Sequence, residues 1–204
     1  MLDKKIKNTL LKVSEFYDCR KVGDSGPLGY RRSTDLGKLA VCIDELMIRG
    51  LFSTGEKLFL DMGCADGRVN VLISYLAKAS IGIEIDEWTL DEYSPLVNEL
   101  KLYLIKHRLV LPPRNINLFH GDSMDKKLYL SIHARTGISF HDFDIYYTYL
   151  TMQKEFAGLI AGEAKKGAIF MVYGLEKVLP RFDGLRLLTP GAPMRGILAV
   201  YQKK

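Results

Sequence analysis

Apolar and polar residues follow two different periods along the chain, and this predicts strands interleaved with helices. Short apolar runs bounded by Gly, Pro or Asp predict buried strands, and apolar residues every three or four positions predict amphipathic helices. Strands are predicted at 58–60, 81–85, 116–119, 143–150, 167–173, 185–189 and 197–201. Helices are predicted at 1–18, 68–78, 87–108, around 126–134, at 151–164, and from Ser33 or Thr34 to about Arg49.

This order of elements indicates the fold class. Strands that alternate with helices are typical of an α/β layer fold around a largely parallel sheet. We therefore divide the chain into an N-terminal helical extension, residues 1–50, and a sheet domain, residues 51–204. Between the first two helices, residues 23–34 contain too much Gly and Pro for regular structure, and we expect an irregular segment there.

The composition fits one globular domain in a reducing compartment. The 204 residues are 48% apolar and 26% charged, and the formal net charge is +5 with a pI near 9.0. Lysines near both ends supply part of that charge, so it favours nucleic-acid binding only slightly. Three separated cysteines form no disulfide framework, and the four histidines have no metal-ligand spacing. No apolar run reaches the roughly 20 residues of a membrane span, and we expect a cytoplasmic protein.

Polar clusters follow several of the predicted strands. Ligands of open α/β sheets bind beyond the carboxyl ends of the strands. The clusters at 61–67, 84–86 and 120–125 come after three predicted strands, and 146–149 ends a fourth. We expect all four clusters to line one crevice.

The first cluster, DMGCADG at 61–67, predicts a tight turn whose backbone approaches a ligand closely. A dinucleotide fingerprint would require glycines where this chain has Ala65 and Arg68, which argues against NAD. The carboxylates of Asp61 and Asp66 make the loop electronegative and therefore unfavourable for phosphates. A cationic ligand without phosphate, such as S-adenosylmethionine (SAM), suits it better.

The segment LDMGCADGRVNVL resembles the glycine-rich first motif of class I SAM-dependent methyltransferases, D-x-G-x-G-x-G, with alanine in place of the middle glycine. The resemblance implies that Asp61 lies near the methionyl ammonium, directly or through water. It further implies that Glu84, in IGIEID, accepts hydrogen bonds from both ribose hydroxyls, with Ile85 beside it. The loop residues implied to wrap the cofactor are Gly63, Cys64, Ala65 and Gly67.

Two later segments extend the resemblance. Asp122 in FHGDSMD is similar to the acidic residue that meets the adenine amino group, with Ser123 next to it. Asp144 and the following YYTY are similar to the fourth motif, at the mouth from which the methyl group leaves. The family fold implies a seven-stranded, mostly parallel sheet with an antiparallel last strand and helices on both faces.

A finer resemblance concerns FDIYYTYL, which is similar to the fourth motif of Dot1-like and mitochondrial lysine methyltransferases. The N-terminal region of that group covers the cofactor, a role that residues 23–34 would fill here. Strand alternation places Tyr147 and Tyr149 on one face and Tyr146 and Thr148 on the other. Tyr149, and after it Tyr147, are the catalytic candidates.

The sequence leaves the methyl acceptor open between a protein lysine, a small molecule and an RNA base. An adenine or cytosine amine would call for an N/D-P-P-[YFW] motif after the fourth strand, and YYTYL contains no proline. Nucleic acid is therefore disfavoured as a partner. The alternatives from other classes are a non-catalytic SAM- or nucleoside-binding protein of the same fold and a nucleotide-dependent oxidoreductase.

Overall fold

The computed structural model describes residues 3–26, 29–31, 33–176, 179–189 and 191–204. Pro27, Leu28, Arg32 and Pro190, which belong to segments interpreted above, lie outside the described residues, as do the first two residues of the predicted N-terminal helix. None of the helices in the described part of the chain is long and apolar enough to cross a membrane.

Nine strands and seven α-helices make up the described structure. The strands are β1 Val22–Gly26, β2 Gly29–Arg31, β3 Leu58–Met62, β4 Ala79–Glu84, β5 Ile116–His120, β6 Ile145–Tyr149, β7 Ile169–Tyr173, β8 Leu185–Leu187 and β9 Leu198–Lys203. The helices are α1 Lys4–Asp18, α2 Leu36–Ile48, α3 Arg68–Ser74, α4 Glu87–Asp91, α5 Tyr93–Lys106, α6 Lys126–Thr136 and α7 Gln153–Glu163, with a 3₁₀ turn at Phe140–Asp142.

Seven of the strands form one sheet in the order β5-β4-β3-β6-β7-β9-β8. The five strands from β5 to β7 are parallel, and β9 pairs antiparallel with both β7 and β8. This confirms the predicted seven-stranded, mostly parallel sheet with an antiparallel last strand. The connection after β3 leads to β4 and the connection after β6 leads to β7, in opposite directions across the sheet. The switch point therefore lies between the neighbouring strands β3 and β6, and ligands of such sheets bind there.

Strand alternation divides the core into two layers. Phe59 and Tyr147 belong to a core with the apolar faces of α1, α2, α3 and α5, whereas Leu60 and Tyr146 belong to a core with α6 and α7. The N-terminal helices therefore pack on the same sheet face as the helix that follows the glycine loop.

Some boundaries differ from the prediction: α2 is capped by Asp35 rather than by Ser33 or Thr34, and α3 ends at Ser74 rather than at residue 78. The chain departs further from the predicted elements in two segments. The segment expected to be irregular contains the antiparallel pair β1–β2, because two short strands satisfy each other's backbone groups despite their glycines. The predicted helix 87–108 is divided into α4 and α5 at Glu92. Pro95 has no N–H to donate to the carbonyl of Asp91, so one continuous helix would lose a hydrogen bond there.

Candidate active site

The loop between β3 and α3 is held by backbone geometry. Gly63, Ala65 and Gly67 have φ of 118°, 48° and 74°, and the N–H groups of Gly63 and Cys64 both donate to the carbonyl of Ile83 at 2.9 Å. A Cβ at Gly67 would lie 2.8 Å from side-chain atoms of both Leu118 and Tyr93. Only glycine fits at position 67 without moving these side chains. The left-handed backbone of Ala65 costs about 1–2 kcal/mol.

Asp61 is a buried carboxyl group at the floor of a cavity. Its side chain is 1% exposed, and its Oδ1 has no hydrogen-bond partner. Burial raises the pKa of Asp61 well above its ordinary value, and the nearby carboxylates of Glu84 and Asp66 raise it further. The residues around the cavity are Val22, Ser33, Thr34, Asp61, Gly63, Cys64, Ala65, Arg68, Val69, Tyr147 and Tyr149. Because buried polar atoms are nearly always satisfied, the unpaired oxygen marks a place for a donor, and a cationic donor suits it best.

Glu84 joins the glycine loop to the end of the neighbouring strand. Its Oε2 accepts the N–H of Ala65 and its Oε1 accepts the N–H of Asp86, both at 2.9 Å. The next side chain, Ile85, is 68% exposed although it is aliphatic. An acidic acceptor therefore stands beside an open apolar surface.

The loop after β5 lies next to Glu84. The N–H of Gly121 donates to the Glu84 carbonyl at 2.9 Å. Asp122 is exposed and its Oδ1 accepts the N–H of Met124 at 2.8 Å, whereas Ser123 is buried and its carbonyl accepts the Tyr129 hydroxyl at 2.7 Å. The first three polar clusters thus lie along one edge of the sheet, at the carboxyl ends of β3, β4 and β5.

Comparisons with solved structures identify the fold that holds these residues. Neither the known family models nor the curated proteins include a sequence match to this chain. Among solved structures, the rRNA methyltransferase aviRa from Streptomyces viridochromogenes aligns with 93% of this chain and 92% of its own at 14% identity and a TM-score of 0.59. An RNA methyltransferase from Salinibacter ruber, in complex with S-adenosyl-L-homocysteine, aligns over 80% and 90% at 13% identity, with a TM-score of 0.50.

A third structure, the tRNA methyltransferase TrmI from Aquifex aeolicus, aligns with 79% of this chain and 68% of its own at 12% identity and a TM-score of 0.50. The chain has the class I methyltransferase fold. At these identities the similarity establishes the fold and nothing finer.

Asp144 does not lie with the other predicted residues of the methyltransferase fold, and its placement at the methyl-transfer mouth is wrong. It precedes β6, at the amino edge of the sheet, where its Oδ2 accepts the N–H of Leu58 at 2.8 Å and its Oδ1 lies 2.9 Å from Lys165 Nζ. Burial alone would raise the pKa of Asp144, but the Leu58 N–H, Lys165 and Lys57 lower it below its ordinary value. Asp144 therefore connects the start of β6 to the start of β3, at the opposite end of β6 from the cavity.

Tyr147 and Tyr149 both line the cavity, as strand alternation indicates, while Tyr146 is buried on the other face. The Tyr147 hydroxyl is fully buried and lies 2.6 Å from Thr34 Oγ1, and burial raises the pKa of Tyr147 well above its ordinary value. Tyr149 is half-buried, and its ring lies tilted against that of Tyr173, with the ring centroids 5.6 Å apart. Of the two, Tyr149 is the one with exposed surface.

Cys64 lines the same cavity with a buried thiol. Burial raises the pKa of Cys64 well above its ordinary value, and the carboxyl groups of Asp61, Glu84 and Asp66 raise it further. A thiol of this kind stays protonated at neutral pH and is a poor nucleophile. Its role is therefore packing in the loop.

Arg68 is a residue of this site that the sequence analysis did not single out. Its guanidinium pairs with Asp66 at 2.9 Å, and both side chains are almost fully buried. It also donates to Ser33 Oγ at 3.0 Å and to the carbonyl of Tyr17 at 3.3 Å. Arg68 thus neutralises Asp66 and connects the N-terminal region to the glycine loop. Asp61 is the acidic residue among those around the cavity.

Replacing Arg68 with Ala should lower stability by about 3–5 kcal/mol, because Asp66 would remain buried without its partner. For a chain of this size that corresponds to a fall in the melting temperature of more than about 6 °C. Thermal unfolding by circular dichroism measures it. Arg49→Ala, which removes an exposed pair with Glu45, should cost no more than about 1 kcal/mol. Equal effects of the two substitutions would contradict the role of Arg68.

Proposed function

We propose that this cavity binds SAM and that the protein transfers the methyl group to a nucleophile at the cavity mouth. The observation that carries the proposal is the unpaired, buried Oδ1 of Asp61 beside the glycine loop. The amino group of SAM is a cation with several N–H donors, so it supplies the partner that this carboxyl group lacks.

The neighbouring residues also fit SAM. Glu84 would accept the ribose hydroxyls, since a carboxylate has about four acceptor sites. The exposed face of Ile85 would pack against the adenine ring, with Asp122 and Ser123 at the adenine edge. These residues and the acidic floor oppose a pyrophosphate, which argues against the nucleotide-dependent oxidoreductase.

When bound, SAM supplies a methyl group already activated by its sulfonium sulfur. The residues of this chain then have to hold the acceptor in line with that group and keep water away, because alignment is the main requirement of such a displacement. Tyr149 is placed to contact the acceptor. Tyr147, whose hydroxyl is paired with Thr34, would position the cavity wall.

Replacing Tyr147 with Phe should therefore cost about 1 kcal/mol of stability, the value of one hydrogen bond, and reduce turnover less than tenfold. The loss of a general acid or base would instead reduce turnover by about 10²–10⁴. Turnover is measured with the acceptor saturating, and Tyr149→Ala serves as the comparison, with a raised KM for the acceptor. A complete loss of turnover in Tyr147→Phe at unchanged SAM affinity would assign catalysis to Tyr147.

The comparisons change the choice of acceptor. Two of the similar structures are named as methyltransferases of ribosomal and transfer RNA, so nucleic acid returns as a candidate, and a protein lysine gains no support. The missing proline motif still argues against an exocyclic amine of adenine or cytosine. A ring atom of a base, a ribose hydroxyl and a small-molecule nucleophile remain the candidate acceptors.

Transfer of a labelled methyl group tests the proposal. The protein is incubated with methyl-tritiated SAM and cell extract, and the RNA, protein and small-molecule fractions are counted separately. We expect label in one fraction with wild-type protein and none with Asp61→Asn. Saturable SAM binding without label in any fraction would favour the non-catalytic binding protein.

A further inference from the structure

The positive charge of this chain is concentrated in two segments. Residues 3–15 and 100–110 together contain seven Lys and Arg residues and two carboxylates, Asp3 and Glu15. That excess of five equals the formal charge of all 204 residues. The rest of the chain is therefore electrically balanced, and the question is where the two segments lie.

The fold brings the two segments side by side. Helices α1 and α5 run antiparallel, since the N–H of Val110 donates to Thr9 Oγ1 at 3.3 Å, the rings of Phe16 and Tyr103 lie 5.8 Å apart, and Arg20 pairs with Glu99. The start of α1 and the end of α5 thus share one end of the helix pair. We call the exposed cations at this end the α1–α5 basic surface: Lys4, Lys5, Lys7, Lys106 and Arg108.

The carboxylates nearby are already engaged. Asp3 caps α1 by accepting the N–H groups of Lys5 and Ile6, and Glu15 pairs with Lys12 at 2.5 Å. Within the described ranges, no cation of the α1–α5 basic surface forms an ion pair. Like charges held together without counter-charges repel each other, and a polyanion would relieve that repulsion.

Arg108 adds an independent observation. Its φ is 55°, a left-handed conformation that costs about 1–2 kcal/mol for a residue with a side chain. Its N–H donates to the Ile105 carbonyl and that of Leu109 to the Leu104 carbonyl, both at 3.0 Å. This is the Schellman end of a helix, where glycine is the preferred residue. An arginine with a left-handed backbone, at a helix end that favours glycine, suggests a use for its side chain.

We propose that the α1–α5 basic surface binds the phosphate backbone of an RNA substrate. This rests on the proposed function and gives it a substrate class. Tyr93, the first residue of α5, packs near Gly67 of the glycine loop. Lys106 follows Tyr93 by thirteen residues on the same helix, so the helical rise puts the surface about 20 Å from that loop. An RNA strand held on this surface can therefore extend towards the cavity.

A membrane surface is the less suitable partner. Amphipathic helices bind lipid by inserting their apolar face, and the apolar faces of α1 and α5, which include Val13, Leu100 and Leu104, are buried in the core. Exposed Leu11 and Ile105 lie on the same helices, so anionic vesicles form one arm of the test.

The decisive variant is Arg108→Gly, because glycine relieves the left-handed backbone while it removes the cation. The matched control is Arg195→Gly, since Arg195 is also exposed with a φ of 50°, but pairs with Glu45 of α2 at 3.7 Å and is not one of the five cations of this surface. Binding of a short single-stranded RNA of mixed sequence is measured by fluorescence anisotropy over a range of salt concentrations, without cofactor.

We expect Arg108→Gly to keep or raise the melting temperature, to weaken RNA binding several-fold, and to lower the salt slope by about 0.7–1, the value of one phosphate contact. Arg195→Gly should leave RNA binding unchanged. The triple variant Lys4→Glu, Lys5→Glu, Lys7→Glu should weaken it more than tenfold. Unchanged affinity and slope in Arg108→Gly and in the triple variant would overturn the proposal. Binding to phosphatidylserine vesicles in place of RNA would also overturn it.

The same variants separate this proposal from the proposed function. SAM affinity is measured on each by calorimetry and should be unchanged, because the substituted residues lie outside the cavity. If the wild-type protein binds SAM and all variants bind RNA with the same affinity, the RNA surface is overturned and the proposed function stands. If Arg108→Gly loses RNA binding but the wild-type protein does not bind SAM, the RNA surface is supported and the proposed methyl transfer is contradicted.

Discussion

Replacing Asp61 with Asn should abolish useful SAM binding and at the same time stabilise the unliganded protein. The ammonium of SAM would lose a buried, charged partner, which costs about 3–5 kcal/mol, or roughly 150-fold to 4,000-fold in Kd. Without ligand, the substitution replaces a buried ionisable carboxyl group, whose charged form burial disfavours, with a neutral amide. We expect a gain of about 1 kcal/mol and a melting temperature about 2–4 °C higher.

The pH dependence follows from the direction of the pKa shift. The folded-state pKa of Asp61 lies above the unfolded value. The loss of folding stability caused by this carboxyl group is therefore absent below the unfolded pKa of about 4, and it grows as pH rises towards the folded pKa. Thermal unfolding of wild type and Asp61→Asn over a pH series should show melting temperatures that separate as pH rises. A gap that is absent at neutral pH would contradict this.

Asp144→Asn is the matched control for both expected effects of Asp61→Asn, the effect on SAM binding and the effect on stability. The pKa of Asp144 is lowered in the folded protein, so its carboxylate stabilises the fold above its unfolded pKa and that contribution is lost as pH falls through the folded value. The substitution should lower the melting temperature at neutral pH and leave SAM affinity unchanged. The two aspartates should therefore act in opposite directions on stability, and only Asp61 should act on binding.

Replacing Glu84 with Ala should weaken SAM and S-adenosylhomocysteine equally, by about 100-fold or more. Each hydrogen bond to a charged acceptor contributes about 1.5–3 kcal/mol, and two ribose hydroxyls are common to both ligands. The N–H groups of Ala65 and Asp86 would lose their acceptor too, which loosens the glycine loop. Calorimetry with both ligands measures the effect.

Glu87→Ala is the control for this substitution, because Glu87 is an exposed acidic residue just after the same strand. It should change neither affinity. Trp88, the single tryptophan of the chain, is 86% exposed on α4, and its fluorescence offers a second readout of binding. Unchanged affinity in Glu84→Ala would place the ribose elsewhere.

The part of the site that sequence could predict depends on strand ends. Asp61, Glu84 and Asp122 each follow an apolar run, and parallel strands bring such positions to one edge. Asp144 instead lies at the start of its predicted strand, 143–150, and this position assigns it to the opposite edge. The resemblance of the segment to the fourth motif therefore predicted the wrong edge of the sheet for Asp144. Pro95 likewise carried a local signal for the break between α4 and α5.

The remaining features depend on contacts between distant parts of the chain. Thr34 and Tyr147 are 113 residues apart, and Arg68 reaches Ser33 and the carbonyl of Tyr17, 35 and 51 residues away. No local pattern indicates which buried arginine will meet which carboxylate. The antiparallel packing of α1 on α5, which assembles the basic surface, is also decided by tertiary packing.

The central claim is that the cavity above Asp61 holds SAM, and isothermal titration calorimetry of the wild-type protein tests it most directly. SAM, S-adenosylhomocysteine and NAD are titrated separately. We expect saturable binding of both sulfur ligands at one site per chain, lost in Asp61→Asn and retained in Asp144→Asn, and no binding of NAD. No heat with either sulfur ligand, or saturable binding of NAD in their place, would contradict it.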